Sequence, residues 1–550
     1  MTRETVGTAS TKTISLSTDV LVLGGGYTAI KCAAALSKRG FGVFLAHPGE
    51  DLVHPAGPAG APAGDWEPEL AELVDHVRQD KNIIVFDRAR LKKAAGMPGD
   101  FSVTLRKGDA DVVRTVGAVV VAPEFDKKSL HEKYGLSLSD NVVTQSTLDA
   151  MLEADDPVLS GKGSVAFVAG FAQEGTTLLV ERVLTQVRRL KKRRSVDVYV
   201  IIGNINLAAE GLDRLYAMAR EEGALYFKLN EPPEISQDPV LSLVFRDPVL
   251  RRKMLLEPDL LVVEEQFAAP EQNRSVARLL LLKAGPSGFL QPDNVHFSSV
   301  RTTREGIFAA GPARGYLDLP QGFMDAENAA MAVEDILDEG KAEVPAQTAE
   351  VDRDKCAICL TCFRVCPHGA VSWDDKAKIS PLACQACGLC ASECPQEAIQ
   401  VHGFSDRELE GRIAGAAKDG AEAPTIVAFL CKNSAWPAWE AARAMDHPLP
   451  GGFKPILVPC AGEVDVDYIL DAFVQGADGV LAAACHAGNC RFHQGNRYAA
   501  RRVDNAKRLL SEAGIDPQRL AFARVAANMG VEFSRIAMQM HERLEKRKKT

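Results

Sequence analysis

The sequence has 550 residues, a formal net charge of −9 and 25% charged residues. This length is too great for one hydrophobic core and indicates several domains. The acidic balance argues against nucleic acid as a main partner, and no apolar run approaches the roughly 18 residues of a membrane span. Thirteen cysteines are too few for a disulfide framework, so we expect a cytoplasmic protein with no direct membrane span.

The N-terminal region has the order strand, glycine turn, helix, strand, with residues 19–23 as the first strand and 41–46 as the second. Such a turn offers free backbone N–H groups and a positive helix end to a pyrophosphate. Gly24 allows the tight turn, Gly26 the close approach, and Ala29 takes the third-glycine position. The pattern predicts a dinucleotide-binding fold whose cofactor contacts are Gly24, Gly25, Gly26, Tyr27, Ala29 and His47.

His47 stands where an acidic residue usually holds the ribose hydroxyls, directly after the second strand. Two interpretations stay open: His47 donates to the ribose, or it marks a site that is losing its ligand. Residues 1–16 are expected to form a flexible arm, and residues 55–64 a Pro/Ala/Gly loop.

A second nucleotide-fold pattern begins with the apolar run 164–169, which leads into Gly170, Gly175 and a helix over 176–190. These glycines do not form G-x-G-x-x-G, so a degenerate nucleotide fold is favoured over NAD(P)H binding.

The central stretch contains two copies of C-x-x-C-x-x-C-x-x-x-C-P, the spacing of a bacterial two-cluster ferredoxin. In that pattern the fourth cysteine of each copy serves the other copy's cluster. Two [4Fe–4S] clusters are predicted, with zinc as the disfavoured alternative. The ligand sets are Cys356, Cys359, Cys362 and Cys394 for one cluster, and Cys384, Cys387, Cys390 and Cys366 for the other.

The last region alternates strand-like runs at 425–430, 454–458 and 479–483 with helical patterns at 436–445 and 466–475, which indicates a parallel α/β domain. Cysteines follow every strand-like run. Because parallel strands end at one edge of a sheet, the thiols are expected to converge there. They are Cys431, Cys460, Cys485 and Cys490.

Residues 116–122, 125–128, 134–135, 141–144, 288–290 and 303–321 resemble the flavoprotein (A) component of heterodisulfide reductase. The resemblance spans about residues 17–400 and implies bound FAD, lined also by Gly311. It further implies a helix near 324–337 aimed at the flavin ring, with a Pro320–Gln321 turn approaching that ring. Ala122-Pro123-Glu124 departs from the usual Ala-Thr-Gly, and the family's N-terminal cysteine group is absent between Cys32 and Cys356.

Residues 424–543 are similar to the delta subunit of methyl-viologen-reducing hydrogenase, through Phe-Leu-Cys431, Pro-Cys460-Ala-Gly and Cys485-His-Ala-Gly-Asn-Cys490. The resemblance implies one [2Fe–2S] cluster on the four cysteines, and zinc stays open as an alternative. His486 and His493 are expected beyond the ligands, and Cys32 in the core of the first helix.

The predicted fold class is α/β: a Rossmann-like FAD-binding domain with an inserted nucleotide-fold-like domain, a bacterial-type 2[4Fe–4S] ferredoxin domain and a C-terminal parallel α/β domain. The boundaries are 17–160 and 286–345 for the FAD domain, 161–285 for the insertion, 346–405 for the ferredoxin domain and 424–545 for the last domain.

The combination of modules resembles the B subunits of quinone-interacting membrane-bound oxidoreductase complexes. It implies an oxidoreductase subunit that carries electrons between quinones and a cytoplasmic reductase such as adenylylsulfate reductase. The expected partners are a related flavoprotein and a membrane subunit with haem or iron–sulfur groups, which would hold this cytoplasmic chain at the inner face of the membrane. Two alternatives stay open: a soluble, heterodisulfide reductase-like or electron-bifurcating complex, and an architectural subunit with a vestigial flavin site. No independent catalytic constellation is predicted.

Overall fold

The computed structural model describes residues 11–52, 67–154, 156–193, 195–294, 298–345, 348–417 and 423–548. The chain divides into two compact units. One consists of Ser17–Ala95 and Gly99–Gly340, and the other of the chain from Lys341 onward with residues 11–16 and 96–98. The predicted loop 55–64 and the first ten residues lie outside the described residues.

The first unit is built on a seven-stranded sheet whose central strands are continuous apolar runs, as expected for strands covered on both faces. Asp19–Leu23 pairs in parallel with both Gly42–Ala46 and Ala118–Val121. In spatial order the strands are Pro292–Asn294, Ser298–Thr302, Ile307–Ala309, Ala118–Val121, Asp19–Leu23, Gly42–Ala46 and Ile83–Phe86.

Helices and a small antiparallel sheet complete this domain. The sheet consists of Ala89–Met97, Asp100–Lys107 and Ala110–Val116. The helices are Tyr27–Lys38, Glu67–Gln79, Glu271–Leu279 and Leu319–Leu337, with 3-10 turns at Gly311–Ala313 and Asp338–Gly340.

The predicted nucleotide-fold-like insertion has its own five-stranded parallel sheet, ordered Val142–Thr144, Leu260–Val263, Ser164–Ala169, Asp197–Ile202 and Leu225–Lys228. Its first strand lies before residue 160, where the sequence placed the domain boundary. Its helices are Gln145–Glu153, Pro157–Ser160, Thr177–Arg193 and Leu212–Glu221, with a 3-10 turn at His131–Tyr134. An antiparallel sheet of Glu234–Ser236, Ser242–Arg246 and Lys253–Leu256 and the pair Asp126–Ser129 with Glu265–Ala268 complete the insertion.

The second unit begins with two small β-pairs that hold the ferredoxin segment. Ala349–Val351 pairs with Ile399–Val401, and Val371–Trp373 with Ala377–Ile379, so the ends of the segment lie side by side. A short helix, Thr361–Val365, contains Cys362 of the first motif, and the helix Asp406–Ala417 follows the segment. Thr11–Ser15 pairs with Lys341–Pro345, so this part of the predicted flexible arm is a strand.

The C-terminal sheet is parallel and ordered Phe453–Val458, Ile426–Cys431, Gly479–Ala484 and Leu520–Arg524. The last strand was not predicted. Apolar cores cover both faces of the sheet. Its helices are Ala435–Ala444, Val466–Val474, Gly495–Glu512 and Gly530–Lys548, with 3-10 turns at Ala461–Glu463 and Pro517–Arg519.

The helix predicted near residues 324–337 begins earlier, at Leu319. Asp318 and Gln321 cap it reciprocally: the Gln321 N–H donates to Asp318 Oδ1 (2.8 Å), and the Asp318 N–H donates to Gln321 Oε1 (3.2 Å). Pro320 lies in the first helical turn, where its missing N–H is not needed. The predicted Pro320–Gln321 turn is therefore wrong, because these residues start a helix.

Candidate functional site: a glycine turn and three cysteine groups

The first glycine turn has the close approaches that a dinucleotide-binding turn requires. Gly24 adopts φ +146°, and a Cβ at this position would overlap the Ala122 carbonyl of the neighbouring strand. Gly26 is the N-cap residue of the helix Tyr27–Lys38 and provides no side-chain hydrogen bond to it. Ala29 is fully buried beneath the turn. The backbone therefore presents a helix N-terminus to the space beside the sheet.

That space is a cavity of about 980 Å³. Its walls come from the glycine turn, from residues 47–51, 90–91 and 123–126, and from the segment 270–278. The size and the turn fit a dinucleotide such as FAD.

His47 is 1% exposed and packs against Gly25, and its Nε2 lies 2.8 Å from Asp87 Oδ1. The Asp87 carboxylate is therefore the partner of His47 Nε2, one of the two ring nitrogens that could bind a ribose hydroxyl.

The position of Glu124 conflicts with a cofactor bound at the glycine turn. A Cβ built on Gly26 would overlap the Glu124 carboxyl group, so Glu124 lies directly over the turn. Glu124 accepts a hydrogen bond from the Tyr27 backbone N–H, and burial raises the pKa of its carboxyl to about 7. The sequence identified Glu124 as a departure, but only the fold shows that it reaches the anion-binding turn.

Gly311, Pro320 and Gln321 do not line this cavity. Gly311 has φ +56°, donates its N–H to Asp325 Oδ2 (2.9 Å) and packs on Thr28. Gly311 therefore joins the helix Leu319–Leu337 to the first helix, which is a structural role in the described chain.

The ferredoxin segment gathers its cysteines in the two crossed groups that the motif predicts. Cys356, Cys359, Cys362 and Cys394 line one small cavity. Burial raises the pKa of the Cys390 thiol well above its usual value, and the thiols of Cys387, Cys366 and Cys384 are close enough to add to that shift. Each group thus takes three cysteines from one motif and the fourth from the other.

The backbone of the two motifs repeats the same unusual geometry. Positive φ angles occur at Ile358 and Ala386, at Leu360 and Gly388, and at Gly369 and Glu397, which are three equivalent positions of the two motifs. L-residues in this region cost of order 1–3 kcal/mol each, and a β-branched residue such as Ile is rarely found there. The sequence spacing carries no sign of this strain. The two motifs therefore share one loop conformation.

The four C-terminal cysteines meet at the carboxyl edge of their sheet. Cys431 and Cys490 each lie within hydrogen-bonding distance of both Cys460 and Cys485, and these contacts lower the pKa of Cys431 and Cys490 and raise the pKa of Cys460 and Cys485. The Cys431 and Cys485 sulfurs are 3.9 Å apart. Within the described residues, the ferredoxin segment included, no group of three or more Cys, His, Asp or Glu side chains is arranged so that it could hold a metal ion. The four thiols converge but do not form a complete ligand arrangement, so their role as metal ligands is a proposal.

Gly495 and Asn496 shape this thiol group. A Cβ at Gly495 would overlap the Cys460 sulfur, so no larger residue fits there. The Asn496 side-chain amide donates to the Cys485 carbonyl (3.1 Å) and the His486 carbonyl (2.6 Å), which fixes the start of the cysteine loop. His486 lies against the Met529 sulfur, and the His493 ring lies near that of His368.

The second ferredoxin loop packs directly on the C-terminal thiol group. Cys387 and Leu389 share a buried cluster with Cys460 and Phe492. Ser392 donates to the Gly462 carbonyl (2.7 Å). Sequence reasoning missed this junction, because no single motif contains both partners.

Arg502 and Glu463 extend the junction. Arg502 donates to the Gly462 carbonyl (2.7 Å), the Val464 carbonyl (3.1 Å) and Glu393 Oε1 (2.6 Å). Glu463 is 1% exposed, presses on Gly388, and burial raises its pKa well above the usual value. Burial at this depth disfavours the ionised form of the Glu463 carboxyl.

Comparison with known proteins assigns the C-terminal domain. Residues 426–547 match the family model of the methyl-viologen-reducing hydrogenase delta subunit, and residues 377–400 match a 4Fe-4S binding domain. The iron–sulfur D subunit of the F420-non-reducing hydrogenase of Archaeoglobus profundus is 32% identical over 123 residues, which are 90% of that protein and 22% of this chain. The chain belongs to the hydrogenase delta-subunit family through this domain. The C-terminal domain is therefore joined to a ferredoxin segment, as predicted.

The remainder is similar to a flavoprotein of heterodisulfide reductase. The A subunit of the ferredoxin:CoB-CoM heterodisulfide reductase of Methanosarcina mazei is 26% identical over 451 residues, which are 78% of this chain and 57% of that protein. The chain thus spans little more than half the length of this relative. The predicted fusion of a heterodisulfide reductase-type flavoprotein with a hydrogenase delta-type domain is confirmed.

Among solved structures, the thioredoxin reductase of T. acidophilum is similar at 14% identity, with a TM-score of 0.41, over 58% of this chain and 98% of that chain. In the described part of the sequence, no helix is both long enough and apolar enough to cross a membrane.

Proposed function

We propose that this chain is a flavin and iron–sulfur electron-transfer subunit of a heterodisulfide reductase-like complex. The observation that carries the proposal is the junction between the second ferredoxin loop and the C-terminal cysteines, where Cys387, Leu389, Cys460 and Phe492 share one buried cluster. Two redox centres held on these loops would be separated by apolar side chains that exclude water. Hydrogen bonds from Ser392 to the Gly462 carbonyl and from Arg502 to Glu393 hold the two loops together.

The residues fit three iron–sulfur centres: [4Fe–4S] clusters on the two crossed ferredoxin groups and a [2Fe–2S] cluster on Cys431, Cys460, Cys485 and Cys490. FAD, when bound, would exchange electrons in pairs with one carrier and singly with the clusters. The glycine turn Gly24–Gly26 would orient its pyrophosphate, and Tyr27 would offer a backbone N–H to it.

The donor and acceptor follow one of two arrangements. In the first, a related flavoprotein and a haem-containing membrane subunit connect this chain to quinones and to a reductase such as adenylylsulfate reductase. In the second, the partners are those of the relatives, whose names describe heterodisulfide reductases and a hydrogenase. The fusion of modules supports the first arrangement, and the separate relatives support the second.

A mainly architectural role is the competing function, and Glu124 is the observation that favours it, since it lies over the turn where FAD would bind. Anaerobic purification followed by iron, sulfide, zinc and flavin analysis separates the functions. We expect about ten iron and ten sulfide per chain, with FAD after incubation with the cofactor. About eight iron with one zinc would replace the [2Fe–2S] assignment, and absence of iron would contradict electron transfer.

A further inference from the structure

The two nucleotide-type sheets share an arrangement that the sequence does not reveal. In each sheet a strand ends in a glycine turn, and the parallel strand beside it is followed by a glutamate. Glu124 lies three residues beyond Ala118–Val121, which pairs with Asp19–Leu23. Glu264 follows Leu260–Val263, which pairs with Ser164–Ala169. Because parallel neighbours end at the same edge, each carboxylate is delivered to the turn beside it.

The Glu264 carboxylate occupies the second glycine turn, residues 170–173. Its carboxylate accepts hydrogen bonds from the backbone N–H groups of Gly170 (2.9 Å), Phe171 (3.4 Å) and Ala172 (3.2 Å), and from the Gln173 side-chain amide (2.8 Å). The Tyr134 hydroxyl donates to it as well. Glu264 is only 1% exposed. A carboxylate with this many donors is held strongly, and its removal would leave them unsatisfied.

Glu124 is bound to the first glycine turn much more weakly than Glu264 is bound to the second. Among the described residues it accepts from the backbone N–H of Tyr27, and Lys127 is the cation near enough to favour its charge. Burial opposes that charge and raises the pKa to about 7. Part of the side chain borders the 980 Å³ cavity, so it has space into which it can move.

We infer that both dinucleotide turns are occupied by the chain's own glutamates, Glu264 permanently and Glu124 displaceably. The first turn therefore accepts a dinucleotide pyrophosphate only when Glu124 moves away or loses its charge, and the second accepts none. This inference rests on the proposed FAD site. It adds that a pyridine dinucleotide does not deliver electrons through the inserted domain of this chain.

The inference predicts proton-linked FAD binding. Several titratable groups face Glu124 or line the same cavity: Asp126 and Lys127 on its own segment, His47, Glu50, Asp51 and Arg90 on other parts of the wall, and Glu271, Arg274 and Arg278 on the adjoining helix. A pyrophosphate stays anionic across neutral pH, whereas a carboxyl with a pKa near 7 is mostly neutral at pH 6 and mostly charged at pH 8. FAD affinity should therefore fall about tenfold from pH 6 to pH 8.

The test uses the full-length, FAD-depleted protein under anaerobic conditions, with FAD titrated and binding followed by quenching of flavin fluorescence. Glu124→Gln and Glu124→Gly should bind FAD about tenfold more tightly than wild type at pH 8, with little pH dependence. Glu132→Gln, which removes an exposed carboxylate that does not line the cavity, is the matched control and should behave like wild type.

Equal or weaker binding by both Glu124 variants, or a pH dependence that persists in them, overturns the inference. If no variant binds FAD, the displaceable glutamate is wrong and so is the FAD site, while the iron and sulfide content still tests the electron-transfer role separately. A titration with NADH under the same conditions tests whether the second glycine turn binds a dinucleotide. We expect no NADH binding by wild type at millimolar concentration, and binding at the inserted domain would overturn the permanent role of Glu264.

Discussion

Arg501 and Arg502 are consecutive residues with different environments. Arg502 reaches two carbonyls and Glu393 at the junction of the ferredoxin segment and the C-terminal domain, and is 6% exposed. Arg501 is exposed and lies over the Tyr498 ring at 4.3 Å. The sequence does not distinguish the two arginines, because their roles depend on which face of the helix Gly495–Glu512 meets the ferredoxin loop.

Arg502→Gln should destabilise the second unit by about 2–4 kcal/mol, because it leaves Glu393 and two carbonyls without their cationic donor. Arg501→Gln is the matched control and should change stability by less than about 0.5 kcal/mol. Denaturant unfolding of the full-length protein, followed by the visible absorbance of the clusters, measures both. Equal effects from the two substitutions would contradict the proposed junction.

The ferredoxin loops show most clearly which features of the fold the sequence predicts and which it does not. The cysteine spacing identifies both motifs and their crossed grouping, since the spacing itself is set by the cluster. It does not predict that Ile358, Leu360, Ala386 and Glu397 adopt positive φ, because these residue types usually avoid that region. The strand Leu520–Arg524 also escapes prediction, since its sequence LAFAR is short and contains two alanines. Likewise, Thr11–Ser15 is polar and gains its strand only from Lys341–Pro345.

The strained loop geometry predicts that the ferredoxin segment depends on its clusters. Removal of iron with a chelator should release strain of order 1–3 kcal/mol at each of the four non-glycine residues, so the segment 356–397 should lose protection. Hydrogen exchange followed by mass spectrometry measures this directly, with the strand Ala118–Val121 of the other unit as the internal control. Unchanged protection across 356–397 would show that the loops hold their shape without metal.

At the scale of the whole molecule, the chain combines an FAD-type fold, a ferredoxin segment and a hydrogenase delta-type domain. The sequence predicts these modules because each depends on a local motif. It does not predict how the second ferredoxin loop and the C-terminal cysteines meet, since that junction joins Leu389 to residues about 70 and 100 positions further along the chain. Nor does it show that Glu124 and Glu264 reach the glycine turns, which follows from strand order.

The most direct test of the account is electron paramagnetic resonance of the full-length protein after anaerobic reconstitution and complete reduction. We expect about three unpaired electrons per chain, one from each of two [4Fe–4S] clusters and one from a [2Fe–2S] cluster. The signal of the [2Fe–2S] cluster should disappear in Cys485→Ala and persist in Cys32→Ala. A fully reduced protein with no paramagnetic iron–sulfur signal, or one in which Cys485→Ala changes nothing, would contradict the role of this chain as an electron carrier through three cysteine-bound centres.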